Sequence, residues 1–79
     1  MEKYQNKSGS SPISKYQIED DRVTVWYSDD TSYSYSYSRA GKPIVDKLKE
    51  LAAEGEGLAT FISQQAKFLY DHKVDKPGM

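Results

Sequence analysis

Residues 22–38, RVTVWYSDDTSYSYSYS, decide the fold. In this stretch aromatic and β-branched residues alternate with short polar residues on either side of an acidic pair at 29–30. A period of two in such residues predicts two strands, at 22–28 and 31–38, joined by a turn. Each strand then has one apolar face, and both apolar faces need to be covered on the same side of the sheet.

The same alternation continues toward the N-terminus. Ile13–Glu19 places Tyr16 and Ile18 on one face, and the acidic pair at 20–21 favours a turn into the next strand. We therefore predict a three-stranded antiparallel meander with one apolar face.

Burial determines the register of this meander, because a slip by one residue would turn the apolar side chains of a strand to the other face. A two-residue loop at 20–21 keeps the apolar faces of the first two strands together. The second and third strands need a three-residue loop, which we expect to place Tyr27 opposite Tyr33. Asp30 is predicted to adopt the left-handed conformation that such loops contain.

Toward the C-terminus the apolar spacing becomes helical. Pro43 suits a first helical turn, apolar residues then recur three or four positions apart, and Gly55 is a typical helix end. A second apolar stripe runs from Leu58 to Leu69. Two helices covering the apolar face of the meander give an α+β fold in the order β-β-β-α-α.

The ends of the chain are polar. We predict a loose arm at 1–10, a single domain at 11–73 and a frayed tail at 74–79. No apolar run approaches the roughly 20 residues that span a bilayer, and the first residues carry no signal-peptide or lipidation pattern. The expected location is the cytoplasm.

Composition excludes most chemistry. The 79 residues carry 11 Lys and Arg against 12 Asp and Glu, a net charge of -1, which argues against duplex DNA or an anionic membrane surface as the partner. The absence of cysteine excludes thiolate catalysis and cysteine metal sites, and a single histidine gives no multi-histidine site. We predict no cofactor and no metal ion.

Trp26 is the candidate anchor of a binding surface. The alternation that buries Val25 and Tyr27 turns Trp26 to the opposite face, where an exposed tryptophan is typical of a contact site. The surface that we predict around it consists of Lys15, Arg22, Thr24 and Ser34. An equally weighted interpretation is that the stems of Lys15 and Arg22 simply cover the ring, with some cation–π attraction.

Other residues suggest chemistry only weakly. The tyrosines at 33, 35 and 37 could stack nucleic acid bases, but we favour a core role because few other aromatic residues can fill the core. The acidic pairs at 20–21 and 29–30 lie about 20 Å apart at opposite ends of a strand, so they cannot share one ion and are interpreted as solvated turns. His72 has no cysteine or second histidine to work with, and no nucleophile turn of the Gly-x-Ser-x-Gly type is present. We therefore predict that the protein is not an enzyme.

The combined pattern resembles a known family, the KTSC domain, which is named for its occurrence at the C-terminus of some lysyl-tRNA synthetases. The pattern consists of the three alternating strands, Leu51-Ala52-x-x-Gly55-x-Gly57-Leu58-x-x-Phe61-Ile62 and a closing Tyr70. Its more distinctive part is Gly55-x-Gly57-Leu58-x-x-Phe61-Ile62. The resemblance covers residues 11–70, and the family also occurs as short bacterial and phage proteins. Asp30 stands where the family usually has a turn glycine. The resemblance implies no catalytic residues, and its link to a synthetase implies only work near RNA.

These observations favour a non-enzymatic interaction module. We expect it to bind a protein through the outer sheet face, or through the third strand if its edge is free to pair with another chain or a second copy. The alternative is a weak binder of RNA or single-stranded nucleic acid, suggested by Lys15, Arg22 and Trp26 on one face.

Overall fold

The sheet is larger than the sequence predicts. The computed structural model describes residues 2–7, 9 and 11–74, and in this part of the chain five antiparallel strands follow one another in sequence order. The strands are β1 (Glu2–Lys3), β2 (Ile13–Glu19), β3 (Arg22–Tyr27), β4 (Ser32–Ser36) and β5 (His72–Val74). The predicted α+β class is confirmed, and the three-stranded meander forms the centre of the sheet.

The helices occupy the chain between β4 and β5. They are α1 (Tyr37–Ala40), α2 (Lys42–Glu54) and α3 (Leu58–Phe61), and α3 continues directly into a π-helical segment (Ile62–Ala66). Helix α2 begins and ends as predicted, with Pro43 in its first turn and Gly55 in the left-handed conformation after its last. No helix in the described residues is long and apolar enough to cross a membrane.

One face of the sheet forms the core. Val23, Val25 and Tyr35 are completely buried there, and helix α2 contributes Val45 and Leu48 from the opposite side. Leu58, Ile62 and Ala66 extend the same core into the last helical segments. Because the buried side chains of these helices all join one cluster, the helices cover one face of the sheet.

The register between β2 and β3 is as predicted, with Ile18 opposite Val23 and Tyr16 opposite Val25. A bulge between Ile13 and Lys15 interrupts the ladder and places Ile13 opposite Tyr27. Strict alternation would have turned Ile13 to the outer face. The extra residue returns its side chain to the core, where it is 2% exposed.

The predicted register between β3 and β4 is wrong by two residues. Val25 lies opposite Tyr33, and the chain reverses in a three-residue loop at 28–30. The Tyr27 N–H donates a hydrogen bond to the Thr31 carbonyl, and the Asp30 N–H donates one to the Tyr27 carbonyl. Asp30 has a φ of 70°, so the predicted left-handed residue is confirmed. Asp30 is the last residue of the loop rather than the middle one, and this difference shifts the pairing of β3 with β4 by two residues. The faces are preserved because the shift is an even number.

The segment predicted to be a loose arm at 1–10 is part of the fold wherever it is described. Glu2 and Lys3 pair with Tyr16 and Lys15 of β2, and the Tyr4 side chain is 2% exposed in the core. Tyr4 fills space that two helices and three strands leave open. The domain therefore begins before residue 11.

The third predicted strand does not have a free edge. Strand β5 pairs with β4, placing His72 opposite Ser34 and Val74 opposite Ser32. Of the predicted frayed tail at 74–79, Val74 belongs to β5, and 75–79 lies outside the described residues. The edges of the described sheet are the two-residue β1 and the three-residue β5, and such short edges offer little backbone for pairing.

Two further boundaries differ from the prediction. Strand β4 ends at Ser36, and Tyr37 begins α1 instead of continuing the strand. The second predicted helix ends at Ala66, not near Leu69, because its last turn widens into the π-helical segment and the chain then turns back toward β5.

Candidate functional site on the outer face of the sheet

Trp26 lies near the end of the central strand, on the face away from the helices. Its ladder partners are Lys15 on β2 and Ser32 on β4. The predicted neighbour Lys15 is therefore confirmed in position. Ser34, the other predicted neighbour, lies two residues further along β4, opposite Thr24, because of the register shift. Trp26 is partly buried, so its side chain is neither fully exposed nor fully covered by its neighbours.

The other predicted members of the surface lie along the same face. Thr24 pairs with Ser34, and their hydroxyl oxygens are 3.0 Å apart in a hydrogen bond. Arg22 lies opposite Glu19 and Ser36. The structure thus brings all five predicted residues to one face, with Trp26 and Arg22 at its two ends.

The sequence did not predict the two residues that complete the Trp26 row. Lys3 of β1 pairs with Lys15, and Val74 of β5 pairs with Ser32, so one row crosses the sheet as Lys3, Lys15, Trp26, Ser32 and Val74. Strands of two or three residues carry no periodicity that a sequence pattern could reveal. The only available signal was a lone apolar residue in each polar end segment, Tyr4 and Val74.

We define the outer face by its positions in the ladder: Lys3 on β1; Lys15, Gln17 and Glu19 on β2; Arg22, Thr24 and Trp26 on β3; Ser32, Ser34 and Ser36 on β4; and His72 and Val74 on β5. The face carries three basic side chains against one carboxylate, apart from the histidine. The whole chain has a net charge of -1, so positive charge is concentrated on this face. Val74 adds an apolar side chain that is 58% exposed.

His72 lies beside a serine and an aspartate, but the geometry does not make a catalytic triad. The Ser34 hydroxyl forms its hydrogen bond with Thr24, at 3.0 Å. The nearest carboxylate oxygen of Asp71 is 4.0 Å from His72 Nε2, beyond hydrogen-bonding distance. In this arrangement the histidine is not oriented as a general base.

The acidic turns at 20–21 and 29–30 form hydrogen bonds within the fold. The Asp20 carbonyl accepts a hydrogen bond from Lys49 Nζ at 2.9 Å, and the Asp21 carbonyl accepts one from the backbone of Tyr37. At the other turn the Asp29 carboxylate accepts a hydrogen bond from the Thr31 N–H at 3.0 Å. Within the described residues no group of three or more His, Cys, Asp or Glu side chains is placed to hold a metal ion.

The predicted tyrosine row divides among three environments. Tyr35 is fully buried, as the core interpretation requires. Tyr33 is partly buried between the rings of Tyr27 and Tyr70, whose centroids lie 5.4 and 5.1 Å away. Tyr37 donates a hydrogen bond from its hydroxyl to Asp46 at 2.7 Å. None of the three lies on the outer face beside Trp26, so the structure shows no continuous stacking platform there.

Comparisons with known proteins add no relative, since no protein-family model, curated protein or solved structure matches this chain.

Proposed function

We propose that the protein is a small non-enzymatic interaction module that binds an acidic polypeptide segment through the outer face of its sheet. The observation that carries the proposal is the position of Trp26. It is the only tryptophan, and it lies partly exposed on the helix-free face of the central strand, flanked by Lys15.

The charge of the outer face supports an acidic partner. Lys3, Lys15 and Arg22 lie there with Glu19 as the one carboxylate, and complementary charge across an interface increases the association rate and selects the partner. Tryptophan and arginine are among the residues that most often dominate binding energy at interfaces, and this face carries one of each. The ligand we infer is a segment with carboxylates on either side of an apolar residue.

A polypeptide fits this face better than RNA. Single-stranded nucleic acid binding relies on several aromatic rings on which successive bases stack, and the outer face as described offers one. The net charge of -1 also opposes a polyanion whose affinity depends on many phosphate contacts. The resemblance to the KTSC domain stays a proposal that rests on residues 51–62 and the strand pattern, and it contributes no activity to this argument.

The test is a titration of fluorescently labelled peptide by anisotropy, at 20 and 150 mM salt. The probe is an eight-residue peptide of alternating glutamate and leucine, and an eight-nucleotide oligouridine is the competitor. We expect saturable peptide binding that Trp26→Ala weakens at least tenfold and Lys15→Gln weakens about threefold, with the Lys15 effect reduced at higher salt.

Two control variants match the chemistry of these changes elsewhere on the surface. Phe68→Ala removes an aromatic ring that is 72% exposed, and Lys47→Gln removes a lysine on the exposed side of α2, so neither should change peptide binding. Stronger binding of oligouridine than of peptide would favour the nucleic-acid alternative and overturn the proposal. Concentration-dependent dimerisation that Trp26→Ala abolishes would assign the face to self-association instead.

A further inference from the structure

A concave surface lies on the opposite side of the sheet from Trp26. It is a cleft of about 510 Å³ between the β3–β4 hairpin and the helical segment that follows Gly57. Tyr27, Tyr33 and Tyr35 form its aromatic wall, and Ala59, Ile62 and Lys67 lie across from them. A volume of this size lies within the range of small-molecule sites in proteins.

The cleft contains a buried hydroxyl without a partner. Tyr35 is completely buried, and within the described residues no group forms a hydrogen bond with its hydroxyl. Leaving such a group unsatisfied costs about 1–3 kcal/mol, so an unpaired hydroxyl in a native structure calls for an explanation. A ligand hydroxyl would supply the missing partner once a small shift of the lining side chains gives it access to the Tyr35 hydroxyl.

The two other tyrosine rings of the wall, Tyr27 and Tyr33, contact each other. Tyr27 and Tyr33 meet edge to face, with an interplanar angle of 70°, and the Tyr70 ring lies 5.1 Å from that of Tyr33 at an angle of 58°. Aromatic groups prefer such offset and edge contacts. Burial, with a smaller effect of the neighbouring tyrosines, raises the pKa of Tyr35, and burial together with Tyr33 raises that of Tyr27. Both phenols therefore stay neutral at physiological pH.

The charge of the lining favours an anion. Among the described residues that line the cleft, Lys67 is the only ionisable side chain other than the tyrosines. Its ammonium group lies 5.5 Å from the ring centre of Phe68, which is 72% exposed, so the cation lies at the rim. A ligand carboxylate at the rim would meet the positive charge of Lys67.

The wall opposite the tyrosines has an unusual backbone. Ile62 and Ser63 line the cleft from the first residues of the π-helical segment. Widened turns of this kind are rare and occur frequently at functional sites. The unpaired hydroxyl, the aromatic wall and the widened turn are three separate features that meet at one cleft.

We propose that this cleft binds a small aromatic carboxylate that carries a hydroxyl group on its ring. The ring lies against Tyr27 and Tyr33, its hydroxyl pairs with that of Tyr35, and its carboxylate faces Lys67. This site is separate from the outer face, and it does not depend on the proposed binding of a polypeptide there.

The test compares three probes by NMR titration of backbone amides: 6-hydroxy-2-naphthoate, 2-naphthoate and 2-naphthylmethylamine. We expect the hydroxynaphthoate to shift amides of the lining residues and to saturate, and the amine not to bind. In the wild type the ligand hydroxyl should tighten binding about three- to tenfold over 2-naphthoate, the range for one net hydrogen bond. In Tyr35→Phe the hydroxynaphthoate should bind no more tightly than 2-naphthoate, because its hydroxyl then has no partner.

Control variants distinguish ligand binding in this cleft from non-specific binding elsewhere on the protein. Lys67→Gln should weaken both naphthoates severalfold, whereas Lys47→Gln and Trp26→Ala should leave them unchanged. If Tyr35→Phe does not fold, Ala59→Leu decides the question, because a larger side chain at Ala59 fills the cleft and should abolish the binding. Equal binding of the amine, shifts scattered over the surface, or full ligand affinity in Ala59→Leu would overturn the proposal.

Discussion

The hydroxyl of Tyr4 accepts a hydrogen bond from the backbone N–H of Leu58, at 3.4 Å and across 54 positions of sequence. The residues next to Tyr4 reinforce this contact, since the Lys7 N–H donates to the Gly55 carbonyl at 2.7 Å. The N-terminal segment is thereby attached to the connection between α2 and α3. Because Tyr4 is also buried in the core, the N-terminal residues are a structural part of the domain.

Tyr4→Ala should unfold most of the protein. Deleting a large buried aromatic side chain costs about 3–5 kcal/mol, and a domain of this size has only a few kcal/mol of stability. Tyr4→Phe removes the hydroxyl alone and should cost about 0.5–1.5 kcal/mol. Urea denaturation followed by circular dichroism measures both, and Phe68→Ala, at an exposed aromatic, should stay within about 0.5 kcal/mol of wild type. Near-native stability of Tyr4→Ala would show that the N-terminal segment is not part of the core.

Gly55 and Gly57 allow a matched comparison, because both have a φ of 82°. An added Cβ at Gly55 would lie 2.6 Å from Cβ of Gln5, whereas at Gly57 it would meet Leu51 at an ordinary 3.7 Å. Gly57→Ala should therefore cost about 1–2 kcal/mol of backbone strain, and Gly55→Ala distinctly more.

A double variant isolates the contact with Gln5. In a Gln5→Gly background the cost of Gly55→Ala should fall to that of Gly57→Ala, as a double-mutant cycle in urea would measure. If Gly55→Ala costs the same in both backgrounds, the close approach of the N-terminal segment is not what makes glycine necessary there.

Substitutions of Asp30 test the backbone conformation of the β3–β4 loop. It is exposed and has a φ of 70°, a conformation that glycine adopts freely and β-branched residues strongly disfavour. Asp30→Gly should therefore leave the melting temperature equal or slightly raised, and Asp30→Val should lower stability by about 1–2 kcal/mol. Equal melting temperatures for the two variants would mean that the loop adopts a different turn in solution.

The carboxylate of Asp46 should make stability depend on pH. Lys42 donates to it at 2.6 Å and Tyr37 at 2.7 Å, and these hydrogen bonds lower the pKa of Asp46 below its usual value. A lowered pKa in the folded state gives a contribution that is present at neutral pH and is lost as the pH falls through that value. Carbon-detected NMR titration of the carboxyl group measures it directly.

The partners of Asp46 can be removed one at a time. Lys42→Gln should raise the pKa of Asp46 toward the usual value of about 3.9, and Tyr37→Phe should raise it less. Lys47→Gln, which removes a lysine paired with Glu50 on the same helix, should leave it unchanged. An Asp46 pKa that does not respond to Lys42→Gln would show that this ion pair does not persist in solution.

Local patterns determined the centre of the fold. The period of two in Ile13–Glu19 and in 22–36 fixed three strands and their apolar faces, because side chains alternate along any strand whatever it pairs with. Pro43 and Gly55 fixed the ends of α2, and Asp30 fixed the left-handed residue of the loop, through conformational preferences that belong to the residues themselves. The placement of Trp26 on the outer face followed from the same alternation.

Only the tertiary structure decided which segments pair with the three central strands. Strands β1 and β5 are too short to carry a pattern, and they form because β2 and β4 offer free backbone groups to Lys3 and Val74 at long sequence separation. The register of β3 with β4 could shift by two residues without exposing an apolar face, so local alternation could not fix it. The cleft at Tyr35 depends on the width of a helical turn and on the packing of four tyrosines from three segments, and these relations exist only when the chain is folded.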